Sequence, residues 1–280
     1  MSGPSNSRLT EGYDSSDLAL SRRLEDAEGT ACAQFAGARS VLYHEPDAAW
    51  IEHEGTVAVF NGVDSPITQS FGLGLFAELT PESLDVIERF FLDHGAQPVH
   101  EVSPFAGVAA LDLLCKRNYR PIELSNVLYR PVEQPQASLI GPITVRVADE
   151  EETEIWTEIN AKGWAHDHPE LMDFVMYAGK ISFTRADTIP FLAKWEGTPG
   201  AAGTLCLHKG VALFGGSATI PELRRRGLQT ALLNERMRYA FENGYDLAMM
   251  VAEVGSSSQH NAERKGFRIA YTRTKWRLSS

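Results

Sequence analysis

The sequence predicts an α/β protein in which central mixed β-sheets are flanked by helices and arranged as two tandem units of related order. Three observations predict it. Helical and strand-like periodicities alternate along the whole chain. A proline-rich seam, YRPVEQPQASLIGPITV at 129–145, divides the 280 residues into halves of ordinary domain size. The tails of the two halves also share a spacing: Gly95 and Tyr119 lie 24 residues apart, Gly244 and Phe267 lie 23 apart, and an arginine follows the aromatic each time. This reads as an internal duplication, with generic α/β patterning as the alternative. The expected division is 1–132, a linker at 133–142, and 143–280.

In the second half, ITVRVA alternates like a strand and DEEETEIWTEINAKGW reads as an acidic helix start. PELMDFVMYAG suggests a further helix, and the PF before LAKWEG opens a strand. AAGTLCLHKG and VALFGGSATI form two strands around Lys209-Gly210. A helix from about Leu228 to Asn243 places Leu233, Met237, Ala240 and Phe241 on one stripe, with Gly244 as C-cap. DLAMMVAEV is nearly continuous in apolar residues, as buried parallel strands are. A short serine-capped helix and the strand FRIAYTRTKWRL complete the half. The first half runs from the helix SSDLALSRRLEDAEGTACAQFA through the strands AWIEHEG, TVAVFNG and PITQSFGLG to the helix PESLDVIERFFLDHG. PVHEVSP, the helical AGVAALDLLCKRN and the strand YRPIELSNVLYRP follow.

Composition excludes several function classes. A net charge of −11 argues against a nucleic-acid binder, whose affinity rests on excess Lys and Arg. Cys32, Cys115 and Cys206 are scattered, with no CxxC pair for zinc and no disulfide framework. No apolar run reaches the ~20 residues needed to cross a membrane, and MSGPSNSRLTEGYDSSD has no apolar signal core. These features point to a reducing, cytoplasmic setting, and the acidic balance is compatible with a small cationic substrate, though solubility alone explains it as well.

The segment PELRRRGLQTALL, 221–233, is the chemically loaded one. It joins a strand to a helix, where the first turn leaves N–H groups unpaired and the helix dipole is positive. A glycine there lets an oxyanion approach the backbone, and arginines add charge-assisted contacts. A solvated basic helix start is the bland alternative. GxxxxGK[ST] is absent, and FGLG at 71–74 lacks the third glycine and helix start of a dinucleotide fingerprint.

Arg224-Arg225-Arg226-Gly227-Leu228-Gln229 resembles the [QR]-x-x-G-x-[GA] pyrophosphate loop of the GNAT superfamily of acyl-CoA N-acyltransferases. Pro221, Leu232 and Leu233 fit the same pattern, as does Asn261-Ala262-Glu263-Arg264-Lys265-Gly266-Phe267 with its terminal Gly-Phe. The resemblance covers 143–280; in the first half ELTPESLDV stands where a second loop would be. It implies an acetyl-CoA-dependent N-acetyltransferase without a catalytic metal. The loop amides from Arg225 to Thr230 would hold the pyrophosphate, and the backbone of Ala218, Thr219 and Ile220 would run along the pantetheine. The helix of Ser256, Ser258 and Asn261 would lie beside the rest of the cofactor, although helix capping alone also explains the serines.

Two departures stand out. Gln229 occupies the [GA] position, and Ala262 occupies the position of the family's frequent tyrosine acid. Gly215, Gly216 and Ser217 stand where a base carboxylate is common. That leaves Glu253, His208 and Tyr271 as candidate catalytic groups. Each has a structural alternative: a solvated loop carboxylate, a surface histidine near a turn, and a packing aromatic. WAHDHPE brings His166, Asp167 and His168 together as an acceptor contact or a polar cap before Pro169. The expected acceptor is a primary amine on a small molecule or peptide, and the expected assembly a monomer or homodimer. The rival reading is a non-catalytic acyl-CoA-binding or regulatory module.

Overall fold

The computed structural model describes residues 17–43, 48–134, 141–165, 169 and 172–279. The chain runs α1(Leu18–Tyr43), β1(Ala49–His53), β2(Thr56–Phe60), β3(Gln69–Phe71), α2(Pro81–Asp93), β4(Val99–Val102), α3(Gly107–Lys116) and β5(Tyr119–Pro131). It continues β6(Ile143–Val147), α4(Thr153–Ala165), α5(Met172–Thr184), β7(Thr188–Trp195), β8(Thr198–His208), β9(Val211–Thr219), α6(Leu228–Glu242), β10(Leu247–Glu253), α7(Ser257–Arg264) and β11(Arg268–Leu278). The residues 135–140 of the expected linker lie outside the described residues.

Among the described residues all strands belong to one 11-stranded sheet, ordered β1-β2-β3-β4-β11-β5-β10-β9-β8-β7-β6. The halves therefore share a sheet, and their last strands are exchanged. β5, which ends the first half, pairs antiparallel with β10 of the second. β11, which ends the second half, pairs antiparallel with β4 of the first. Tyr119–Pro131 carries its apolar residues where both neighbours need them, so Val127 and Leu128 are fully buried.

Side-chain alternation sorts the helices onto two faces. Leu247 and Met249 of β10 pack with Leu20, Leu24 and Ala27 of α1. Ala248 and Ala252 pack with Leu232, Leu233 and Met237 of α6. α4 lies on the α1 face, with Trp156 and Ile159 against Leu192 and Ala202. In α6 the stripe Leu228, Leu232, Leu233, Arg236, Met237 and Ala240 is buried, whereas Phe241 is exposed. The expected stripe thus runs one residue to the side of Phe241, and a charged residue sits within it.

Beneath α1 lies a buried ionic cluster. Arg273 is 2% exposed and reaches Glu25 at 3.2 Å, Glu28 at 2.6 Å and Glu101 at 3.0 Å. Lys275 bridges Glu101 at 3.4 Å and Glu123 at 2.8 Å. The cluster joins α1, β4, β5 and β11, and so ties the first half to the exchanged strand of the second.

Candidate functional site

The parallel pairing of β9 with β10 is short: Leu247↔Val211, Ala248↔Ala212 and Met249↔Leu213. Beyond it, β9 keeps only β8 as neighbour and β10 keeps only β5. The two strands part, leaving a cleft between Phe214–Thr219 and Met250–Glu253. A β-bulge explains the parting. The β8–β9 register passes from Thr204↔Gly215 to Ala202↔Ala218, so Gly216 and Ser217 together oppose Gly203. Gly216 has φ +53°, and a bulge there bends and twists the strand away from its parallel neighbour. Gly216 is exposed in the middle of an 11-stranded sheet, so the cleft is open to solvent at this residue.

The loop after β9 frames one end of the cleft. A short 3₁₀ turn, Pro221–Leu223, leads to Arg225 at φ 63° and Gly227 at φ 90°, which is the N-cap of α6. No side chain caps this helix, so its first N–H groups face outward. Arg225, Arg226 and Gly227 are exposed, while Leu228 is buried and anchors the first turn. Arg226 stacks over the Trp195 ring at 5.1 Å.

Arg224 is turned inward. Its Nε donates to the Thr219 carbonyl at 3.3 Å and its Nη2 to the Gly163 carbonyl at 2.9 Å. It braces the loop against the end of β9 and caps the C-terminus of α4. Gln229 also turns aside, its Nε2 donating to Thr219 Oγ1 at 2.8 Å. The long side chain is thereby folded onto the strand, away from the first N–H groups of α6. Ala218 and Thr219 are buried, and a Cβ on Gly163 would stand 2.5 Å from that of Ala218, so α4 lies directly on the strand end.

At the other wall, Ser256 caps α7 and accepts from the Gln259 N–H at 3.2 Å. Ser258 and Asn261 are exposed, and the Asn261 Oδ1 accepts from Arg264 at 2.8 Å. Gln259 Oε1 accepts from the Gly255 N–H at 2.7 Å and from Asn126 Nδ2 at 3.0 Å. The exchanged strand β5 therefore holds the turn at the mouth of the cleft, a role for Gln259 and Asn126 with no sequence signal. Ala262 is buried, with no acid function.

The three candidate catalytic groups part company. Glu253 ends β10, is exposed, and pairs in register with Ser125 of β5. It alternates with Leu247 and Met249, so it opens on the face that carries α1, α4 and α5. His208 stands at the opposite end of β8, next to the Lys209-Gly210 turn, with its Nε2 2.9 Å from Asp26. Tyr271 is buried on β11, its hydroxyl donating to Glu25 at 2.9 Å, and burial raises its pKa well above the usual phenol value. Neither His208 nor Tyr271 reaches the cleft: one lies at the wrong end of a strand and the other on a strand that does not touch β10. His166, Asp167 and His168 lie outside the described residues. Among the described residues no three His, Cys, Asp or Glu side chains gather as metal ligands, and no helix is long and apolar enough to cross a membrane.

Among the described residues the first half has no second uncapped, glycine-led helix start beside a splayed parallel pair. Its parallel pairing is reduced to Ser70↔His100. The α2 N-terminus is closed by its own capping box, Thr80 accepting from the Ser83 N–H at 3.1 Å, with Glu82 in the first turn. His100 is fully buried, and burial lowers its pKa to about 3, so it is neutral. A Glu88 carboxylate can only accept from Tyr119, at 3.1 Å, which makes His100 Nε2 the donor to Tyr119 at 2.9 Å and Ser70 the donor to Nδ1 at 2.7 Å. The chain pins β3, β4, β5 and α2 together where a cleft would otherwise open.

The segment 150–267 matches a family model described as Acetyltransferase (GNAT) family. No curated protein matches the chain in sequence. Solved structures of similar fold include a GCN5-related N-acetyltransferase from Kribbella flavida, with TM-score 0.62 and 18% identity over 89% of this chain and 96% of that one. A GCN5-related N-acetyltransferase from Sphaerobacter thermophilus gives 0.54 and 16%, over 82% and 75%. A tandem GNAT protein from the clavulanic acid biosynthesis pathway gives 0.56 and 10%, over 95% and 98%. At these identities the likeness is one of fold.

Proposed function

We propose, from the match of residues 150–267 to the Acetyltransferase (GNAT) family, that the chain is an acetyl-CoA-dependent N-acetyltransferase with one working centre, the β9–β10 cleft, acting on a primary amine of a small molecule. The observation that carries the reading is the uncapped, glycine-led N-terminus of α6 at the end of a splayed parallel pair, beside a first half whose equivalent helix is capped. The two halves would be functional units only in part, since β5 of the first completes the sheet beside β10 of the second.

The cradle amides and the exposed Arg225 and Arg226 would take the pyrophosphate. The pantetheine would enter along Ala218–Ile220 and bring the thioester to the bulge. An alkylammonium acceptor, with a pKa near 10, must first lose a proton, and Glu253 is the carboxylate positioned to accept it. The nitrogen lone pair then attacks the carbonyl carbon, forming the C–N bond and an oxyanion. The attacking nitrogen, cationic once bonded to carbon, releases its second proton to solvent; collapse then breaks the C–S bond, and the departing thiolate recovers a proton from Glu253 or solvent. That proton gives a modest gain, because a thiol of pKa near 8.5 leaves tolerably as thiolate, so Ala262 in place of an acid is survivable. The exposed carboxylate of Glu253 suits a cationic acceptor.

Thiol release from acetyl-CoA against a panel of amines tests the reading. With a turned-over amine, Glu253→Gln should lower kcat by about 100-fold while the KM for acetyl-CoA stays level. The deficit should shrink towards pH 10, where the ammonium loses its proton unaided. Tight acetyl-CoA binding with no turnover of any amine would favour the non-catalytic module instead.

A further inference from the structure

Arg236 of α6 is 2% exposed, and among the described residues no carboxylate pairs with it. Arg273, buried to the same degree, has three carboxylates around it. Burial pushes the pKa of Arg236 down to about 9, which leaves it cationic at neutral pH. A buried charge without a counterion is costly, and an apolar side chain of the same volume would pack this helix face as well.

The guanidinium is spent on the bulge. Nη1 donates to the Thr204 carbonyl at 2.9 Å and to the Gly215 carbonyl at 3.3 Å, while Nε donates to the Leu232 carbonyl at 3.3 Å. Thr204 and Gly215 form the last register pair before the ladder breaks. The group also lies over the Phe214 ring at 4.9 Å. Space for it exists because residue 203 is glycine: a Cβ there would stand 3.2 Å from Nη1 and 2.7 Å from Ser217 Oγ. The bulge, Gly203 and Arg236 thus form one fitted unit at the place where the thioester would lie.

We propose that Arg236 is a positioning residue for acyl transfer, holding the bulge and polarising the Gly215–Gly216 peptide group that serves as donor to the thioester oxygen. The inference rests on the acyl-CoA reading of the cleft. A charge-assisted bond to a peptide carbonyl makes the N–H of the same peptide a better donor. Gly216 is exposed and has no register partner on β8, so its peptide is placed to meet a ligand. A fixed donor aimed at a developing oxyanion acts only as the charge appears, and so lowers the barrier. Gly215, Gly216 and Ser217 bring no positive side chain to that position; the charge comes from the helix on the other side of the strand.

The test is carbon NMR of acetyl-CoA labelled at the thioester carbonyl, bound to the wild type, Arg236→Met and Arg236→Lys, which needs no acceptor. The wild-type complex should show the carbonyl resonance shifted downfield of free acetyl-CoA. Arg236→Met should bind acetyl-CoA and lose most of that shift, and Arg236→Lys should keep part of it. With an amine that turns over, Arg236→Met should also lower kcat by about tenfold with the KM for acetyl-CoA unchanged. A wild-type resonance retained in Arg236→Met overturns the proposal, and if that variant does not fold, one retained in Arg236→Lys does so. A wild type that shows no bound resonance overturns the acyl-CoA reading, and the role of Arg236 with it.

Discussion

Gly227→Asp should abolish the stabilisation that acetyl-CoA confers on the wild-type protein. The substitution is sterically mild: a Cβ at residue 227 meets only Ile143 Cδ1, at 3.5 Å. The positive φ of 90° adds local strain, which aspartate tolerates better than most residues, so the apo protein should fold. The electrostatics are severe. The new carboxylate would stand at the open end of α6, where the proposed site would place the pyrophosphate charge. Like charges about 4 Å apart at a protein surface repel by about 4 kcal/mol, and half of that survives as a roughly 30-fold loss of affinity. Lost N–H contacts deepen it to about 100-fold or more. Because ligand stabilisation follows mass action on the native state, millimolar acetyl-CoA should raise the wild-type melting temperature and leave Gly227→Asp unmoved. An equal shift in both proteins would place the pyrophosphate elsewhere.

Arg273→Met should cost about 3 to 5 kcal/mol of folding stability, measured by urea unfolding, because it leaves carboxylates buried without their cation. Glu25 is already pushed above the ordinary carboxylate range, chiefly by burial, with Arg273 pulling the other way. Without Arg273 that pKa rises further. A carboxyl whose folded pKa exceeds its unfolded value binds its proton more tightly in the native state, so stability is kept below the unfolded pKa and lost as pH rises through the folded one. The deficit of Arg273→Met against the wild type should therefore be largest at pH 7 to 8 and should narrow towards pH 5. A deficit independent of pH would assign the loss to packing alone.

The order of elements was legible because each carries its own periodicity and punctuation. The capped helix PESLDVIERFFLDHG, the apolar run of β10 and the serine-capped α7 all lie where their patterns place them. The exchange of β5 and β11 was not legible, since YRPIELSNVLYRP satisfies either neighbour equally well and pairing partners leave no trace in a strand's own alternation. The turn from Arg224 to Gln229 and the helix start after it were readable because their backbone requirements are local. What the side chains do there was less so: Arg224 faces Thr219 and Gly163, and Gln229 faces Thr219 Oγ1, contacts set by tertiary approach. His208 and Tyr271 misled because strand position fixes a residue's face but not which end of the sheet is open. Arg236 had a signal, a charge inside the apolar stripe of Leu232, Leu233, Met237 and Ala240, and its meaning emerges only with the bulge beside it.

The central claim is that one cleft, in the second half, binds acetyl-CoA while the first half is closed by its own capping box. Calorimetric titration of the full chain with acetyl-CoA tests it most directly. The structure predicts a stoichiometry of one acetyl-CoA per chain, with binding lost in Gly227→Asp. Two molecules per chain would contradict the closure of the α2 terminus, and no heat of binding to the wild type would contradict the cleft itself.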